Sequence, residues 1–190
     1  MMYHTLALYI TNRCLGQAGQ SGQKDITVYG AELLISSVVE TIIVLAMGLV
    51  FGRIIETVLF LAFFCPLRSM SGGYHAPGYR SCTIIFSSIF LIMILVLQPM
   101  PLWLQIILLV ISSITIWILA PVEDANKPLG EKRRKRLKKK SKYYLIAELV
   151  LYVATYVIWG NRLWQSYIVC SFLAVGILLF TGNIRKEEST

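Results

Sequence analysis

Apolar and polar residues alternate along this chain in long blocks rather than singly. Six apolar runs stand out, at about 33–51, 54–67, 82–97, 102–120, 143–159 and 165–181. Long runs with so few charges predict membrane-crossing helices. Several are shorter than the ~20 residues that cross a ~30 Å hydrocarbon core without tilt. Their ends are therefore approximate, and one pair is compatible with a re-entrant segment. Gly52-Arg53, the Gln-Pro-Met-Pro at 98–101 and the Gly-Asn-Arg-Leu-Trp-Gln at 160–165 read as turns, and Pro66 marks the end of the second run or a kink. Residues 5–30 are of mixed polarity, with GQAGQSGQKD as a flexible break between two weakly amphipathic pieces expected to lie along the membrane surface. The pattern predicts an all-α, polytopic integral membrane helix bundle with about six membrane segments. It forms one domain over 1–190, with an amphipathic N-terminal region (1–32) and two polar loops, 68–82 and 121–142.

Composition sharpens this. The chain has 190 residues, 56% of them hydrophobic, and a mean hydropathy of +0.67, too apolar for a soluble domain of this length. The N-terminal MMYHTLALYITNRC lacks the basic start, long apolar core and small-residue cleavage site of a signal peptide. The net charge of +8 is concentrated: residues 121–142 hold ten Lys/Arg and three acids, leaving the remainder of the chain nearly neutral. In a soluble protein such a run suggests nucleic acid. Between two membrane segments it reads as a cytoplasmic topology anchor, so the bilayer and not nucleic acid is the expected partner. With both termini in the cytoplasm, sixteen of the eighteen basic residues lie inside, and only Arg53 and Arg162 lie outside. Both polar loops then face the cytosol, where thiols stay reduced.

The first loop holds the candidate chemistry. It reads RSMSGGYHAPGYRSC from Arg68 to Cys82, and contains one of the chain's two histidines, His75. Ala76-Pro77-Gly78-Tyr79 fits a type II turn, with Pro at the second position and Gly at the third. Such a turn brings His75 closer to Cys82 than a helix would, since seven helical residues span roughly 10 Å. Cys82 is expected to open the third apolar helix, where free N–H groups and the helix dipole favour thiolate. A neighbouring imidazolium, Arg68 or Arg80 would favour it further. Cys82 and His75 can thus act as nucleophile and general base, and Gly72 and Gly73 can admit a peptide backbone or supply N–H groups to an oxyanion. Spacing alone leaves a second reading open, in which the thiol is inert and the imidazole merely solvated. Of the other cysteines, Cys65 and Cys170 lie in apolar runs as small hydrophobes, and Cys14 lies in a polar stretch. No CxxC or Cys/His spacing calls for zinc, and no metal or cofactor is expected.

The stretch R-x-x-x-G-G-Y-H-A-x-x-x-x-x-C resembles the signature of the accessory gene regulator B (AgrB) family, membrane cysteine endopeptidases of Gram-positive quorum sensing. The second loop adds to the likeness, with APVEDANKPL at 120–129 followed by a basic run and Lys142-Tyr143-Tyr144. The resemblance implies an AgrD-like propeptide as substrate, cut near its C-terminal side on the cytoplasmic face of the bacterial cell membrane. It implies a thioester on Cys82 with His75 as base, closure of a thiolactone or lactone ring, and work as a homodimer. Glu123, Asp124 or Asn126 are candidates to orient His75, although a helix-end and turn composition accounts for them more simply. Glu40, Glu56 and Glu148 fall inside predicted spans, where carboxylates face a bundle interior or cavity. Glu32, Ser36 and Glu40 share one helix face and fit a peptide groove, packing or a surface position. Lys138, Lys139, Lys140 and Lys142 are candidates for the membrane surface or an acidic substrate tail. The contrasting reading is a scaffold or transporter that carries the peptide without cutting it.

Overall fold

The computed structural model describes residues 21–72, 79–122 and 131–188. These form six helices: α1 (Ser21–Val50), α2 (Ile54–Ser71), α3 (Tyr79–Val96), α4 (Leu102–Leu119), α5 (Glu131–Trp159) and α6 (Arg162–Glu188). Five contain a stretch long and apolar enough to cross a membrane, and α3 supplies a shorter apolar helix over Ser81–Val96. The all-α membrane bundle expected from the hydropathy pattern is what the chain forms.

Four boundaries differ from the sequence reading. Pro66 does not end the second segment: α2 runs on through Arg68 to Ser71, so the polar loop starts later than Arg68. Proline removes one backbone hydrogen bond, and inside a bundle neighbouring groups offset that loss. Helix α3 begins at Tyr79, which places Cys82 fourth in the helix rather than at its mouth. The basic stretch is not a loop to 142, because α5 starts at Glu131. Lys, Arg, Leu and Glu are all good helix formers, and Glu131 in the first turn complements the dipole. At the N-terminal side, α1 is continuous from Ser21, while its membrane-length apolar stretch begins at Gly30, so residues 21–29 belong to the same helix as the first span.

The helices alternate in direction. Phe51-Gly52-Arg53 closes the α1–α2 hairpin, with Arg53 N–H donating to Gly48 O at 2.8 Å and Gly52 at φ 64°. The approach is tight: a methyl at Gly48 would run into the Thr57 hydroxyl. Helix α6 is the centre of the bundle and packs on α4 and α2. Its span is 56% buried, against 17–39% for the other long spans. Its contact face carries small residues, and Gly176 lies on the backbone of Ser112 in α4, as close helix packing in membranes requires.

Two side-chain clusters fix the frame. At the α3–α4 and α5–α6 turns, Gln105 is buried at 1% exposure. Its Nε2 lies 3.0 Å from Met100 O and 3.2 Å from Arg162 O, and Tyr152 donates to its Oε1 at 3.3 Å. That network ties α4, α5 and α6 together. On the other side, Phe60 and Phe64 of α2 interleave with Phe86 and Phe90 of α3 at centroid distances of 5.1–5.6 Å. Phe64 is one turn from Arg68, and Phe86 is one turn from Cys82. This ring stack therefore sets the relation between those two residues.

Candidate active site

Ser71 ends α2 with its carbonyl accepting the N–H of Val122 at 3.1 Å. Gly72 and Val122 form an isolated parallel bridge. Gly72 alone can stand here: its φ is 70°, and a Cβ would collide with the Val122 carbonyl. The two polar segments thus leave the bundle side by side, although about fifty residues of sequence separate them. Gly73, His75, Glu123, Asp124 and Asn126 lie outside the described residues. The Gly72 N–H donates to Arg68 O at 3.1 Å, so it closes the helix end and is not free to bind an oxyanion. What places Gly72 here is the close backbone approach.

Cys82 lies a few residues beyond that junction, partly buried. Its thiol is within S–H···O reach of the Glu40 carboxylate. Thr83 Oγ1 donates to Glu40 Oε1 at 3.2 Å. The Arg68 guanidinium is close enough to both Glu40 and Cys82 to act on them electrostatically. Helices α1, α2 and α3 therefore each contribute to one polar cluster. An acid or base in the middle of a span costs about 2.5–3.5 kcal/mol on insertion scales. Bringing carboxylate and guanidinium together offsets part of that cost. Arg68, a candidate to support the thiol, lies within electrostatic range of Cys82. The part of Glu40 is new: its helix face was evident from the sequence, but not that it meets the cysteine. The other described cysteines differ. Cys65 is exposed on the apolar bundle, and Cys170 packs against the core.

The basic residues form a separate surface. Lys138, Lys139 and Lys140 are exposed on the first turns of α5. Arg134, Lys135 and Lys138 line a cleft with Ala120 and Pro121, next to the point where the second polar segment leaves. Lys142 departs from the group: its Nζ sits over the Trp117 ring, 4.1 Å from the centroid. A cation held on an indole face is engaged by the neighbouring helix, and Trp117 is itself exposed.

The Accessory gene regulator B family profile matches residues 4–182. The chain belongs to this family. An AgrB-like protein 2 of Clostridium perfringens strain 13 is 30% identical over 153 residues, covering 75% of this chain and 72% of the relative. An AgrB-like protein of Clostridium perfringens strain SM101 is 30% identical over 179 residues, covering 85% and 84%. One from Listeria innocua is 30% identical over 126 residues, covering 65% and 60%. No solved structure matches. AgrB membership gives the chain a role in accessory gene regulator quorum sensing and links it to an AgrD-like propeptide. With the apolar helices, it makes the chain a multi-pass membrane protein.

Proposed function

We propose that the protein is a membrane cysteine endopeptidase that cuts an AgrD-like propeptide near its C-terminal side and prepares it for ring closure. The observation that carries this reading is the setting of Cys82. Among the described cysteines it is the one held in a polar cluster, beside Arg68 and Glu40 and close to the junction of the two polar segments.

The chemistry balances with the residues of this chain. His75 takes the thiol proton, and the Cys82 sulfur attacks the carbonyl carbon of the scissile peptide bond. Arg68 offsets charge on the sulfur, and Gly73 is available as an N–H donor to the tetrahedral oxyanion. The C–N bond breaks, the amine of the C-terminal fragment leaves with the proton, and the N-terminal fragment remains as a thioester. A thiol or hydroxyl of the bound fragment then attacks the thioester carbonyl. The ring closes, and the Cys82 sulfur leaves and regains a proton. Glu123, Asp124 or Asn126 orients His75, a role supported by the start of their segment beside Gly72. The exposed lysines of α5 and its basic cleft hold the acidic tail of the propeptide. Catalysis takes place on the cytoplasmic side, a reading supported by the distribution of basic residues.

The test is covalent capture. Purified protein incubated with a candidate propeptide should give an adduct of protein plus N-terminal fragment that hydroxylamine removes. C82A should give none while inserting and accumulating normally. Cleavage by C82A at the wild-type rate would overturn the reading. Propeptide bound without added covalent mass would favour a carrier.

A further inference from the structure

The reaction above gives Glu40 no task. Glu40 lies well inside the apolar span of α1, where an acid is retained with a partner or a use. Its carboxylate accepts from Thr83 Oγ1 at 3.2 Å and is within reach of the Cys82 S–H, with Arg68 beside it. Successive side chains of a helix diverge by about 100°. One carboxylate that meets both Cys82 and Thr83 therefore restricts the rotamers of both. A sulfur without such an acceptor would sample its staggered positions freely, and reaction requires the attacking atom to stay near one of them.

We propose that Glu40 is a positioning residue for Cys82: one carboxylate oxygen accepts the S–H of the resting thiol, and Thr83 anchors that carboxylate. Its catalytic consequence rests on the endopeptidase reading. When His75 takes the proton, the S–H donor is lost and thiolate and carboxylate repel; the Thr83 contact, with Arg68 in electrostatic range of both charges, holds the carboxylate in place. When the sulfur regains its proton at ring closure, the same contact re-forms. Gln keeps an acceptor oxygen at this site and loses the charge. Leu keeps the volume and loses both.

Two readouts test this. In propeptide cleavage, E40L should lower kcat about tenfold with KM unchanged, as expected for a lost hydrogen bond at a reacting group, while E40Q stays near wild type. In maleimide alkylation of Cys82 without propeptide, E40L should react severalfold faster because the thiol is released and the neighbouring negative charge, which opposes thiolate, is gone; E40Q loses that charge but keeps an acceptor, and should fall between E40L and wild type. The same Glu40 variants in a C82A background give the reference rate, because Glu40 also acts electrostatically on Cys65. Wild-type behaviour of E40L in both assays would overturn the proposal. So would equal impairment of E40Q and E40L, which would make the charge and not the acceptor the important property. If the wild type itself cuts no propeptide, the endopeptidase reading fails, yet the alkylation comparison still decides the contact. T83V keeps Glu40 and removes its anchor, and serves where E40L fails to accumulate. It too should speed alkylation, and an unchanged rate would count against the proposal.

Discussion

Gly72 carries the severest steric constraint near the candidate site. Its positive φ and its contact with the Val122 carbonyl leave no space for a methyl. A strained backbone of this kind costs about 1–3 kcal/mol when a side chain is forced into it. G72A should therefore lower the Tm in detergent and also reduce cleavage, because the junction of the two polar segments must open. G48A meets a similar collision at the far end of α1, against Thr57. It should lower Tm while leaving kcat unchanged, and equal kinetic effects of the two substitutions would refute a local role for the junction. H75A should slow acylation by ~10²–10⁴-fold, the usual contribution of a positioned acid–base group, whereas H4A should not. Cys82 and His75 stand out as candidates in the sequence because their spacing and glycines are local features; the structure describes Cys82, and His75 lies outside the described residues. The partnership of Glu40 with Cys82 was not legible in the sequence, since it joins residues 42 positions apart through the packing of separate helices.

Six segments emerged from hydropathy alone because a bilayer imposes length and polarity on each of them. Helix ends were less legible. Hydropathy marks where apolar character stops, and a helix continues as long as its backbone bonds and propensities allow. That is why α2 passes Pro66 to Ser71 and why α5 takes in the basic run. Placing the run on a helix changes what its charges can do. On one helix Lys138, Lys139 and Lys140 fan out in fixed directions about 100° apart, and Lys142 is held by Trp117. Neutralising Lys138, Lys139 and Lys140 together should raise the apparent KM for an acidic-tailed propeptide and weaken its dependence on salt, with kcat little changed. K142Q should instead lower thermal stability and leave KM alone. Steady-state kinetics at two ionic strengths distinguish these results, and an unchanged KM in the triple variant would reduce the cluster to a membrane anchor.

For the molecule in its membrane, the alternating helices put the two polar segments at one end and the α1–α2, α3–α4 and α5–α6 turns at the other. In a background lacking the four native cysteines, Q98C should react with an impermeant thiol reagent in intact cells. K139C should react only after permeabilisation. The reverse pattern would invert the topology and place the candidate nucleophile on the outer side. The bridge between Gly72 and Val122 has one more consequence. Joining two points of a chain about fifty residues apart costs entropy that rises with the logarithm of the intervening length. Here helix packing bears that cost before any ligand arrives. Gly72 and Val122 are therefore tethered on a very short leash, where effective concentrations reach the millimolar range or above. A ligand that needed both would find them already side by side.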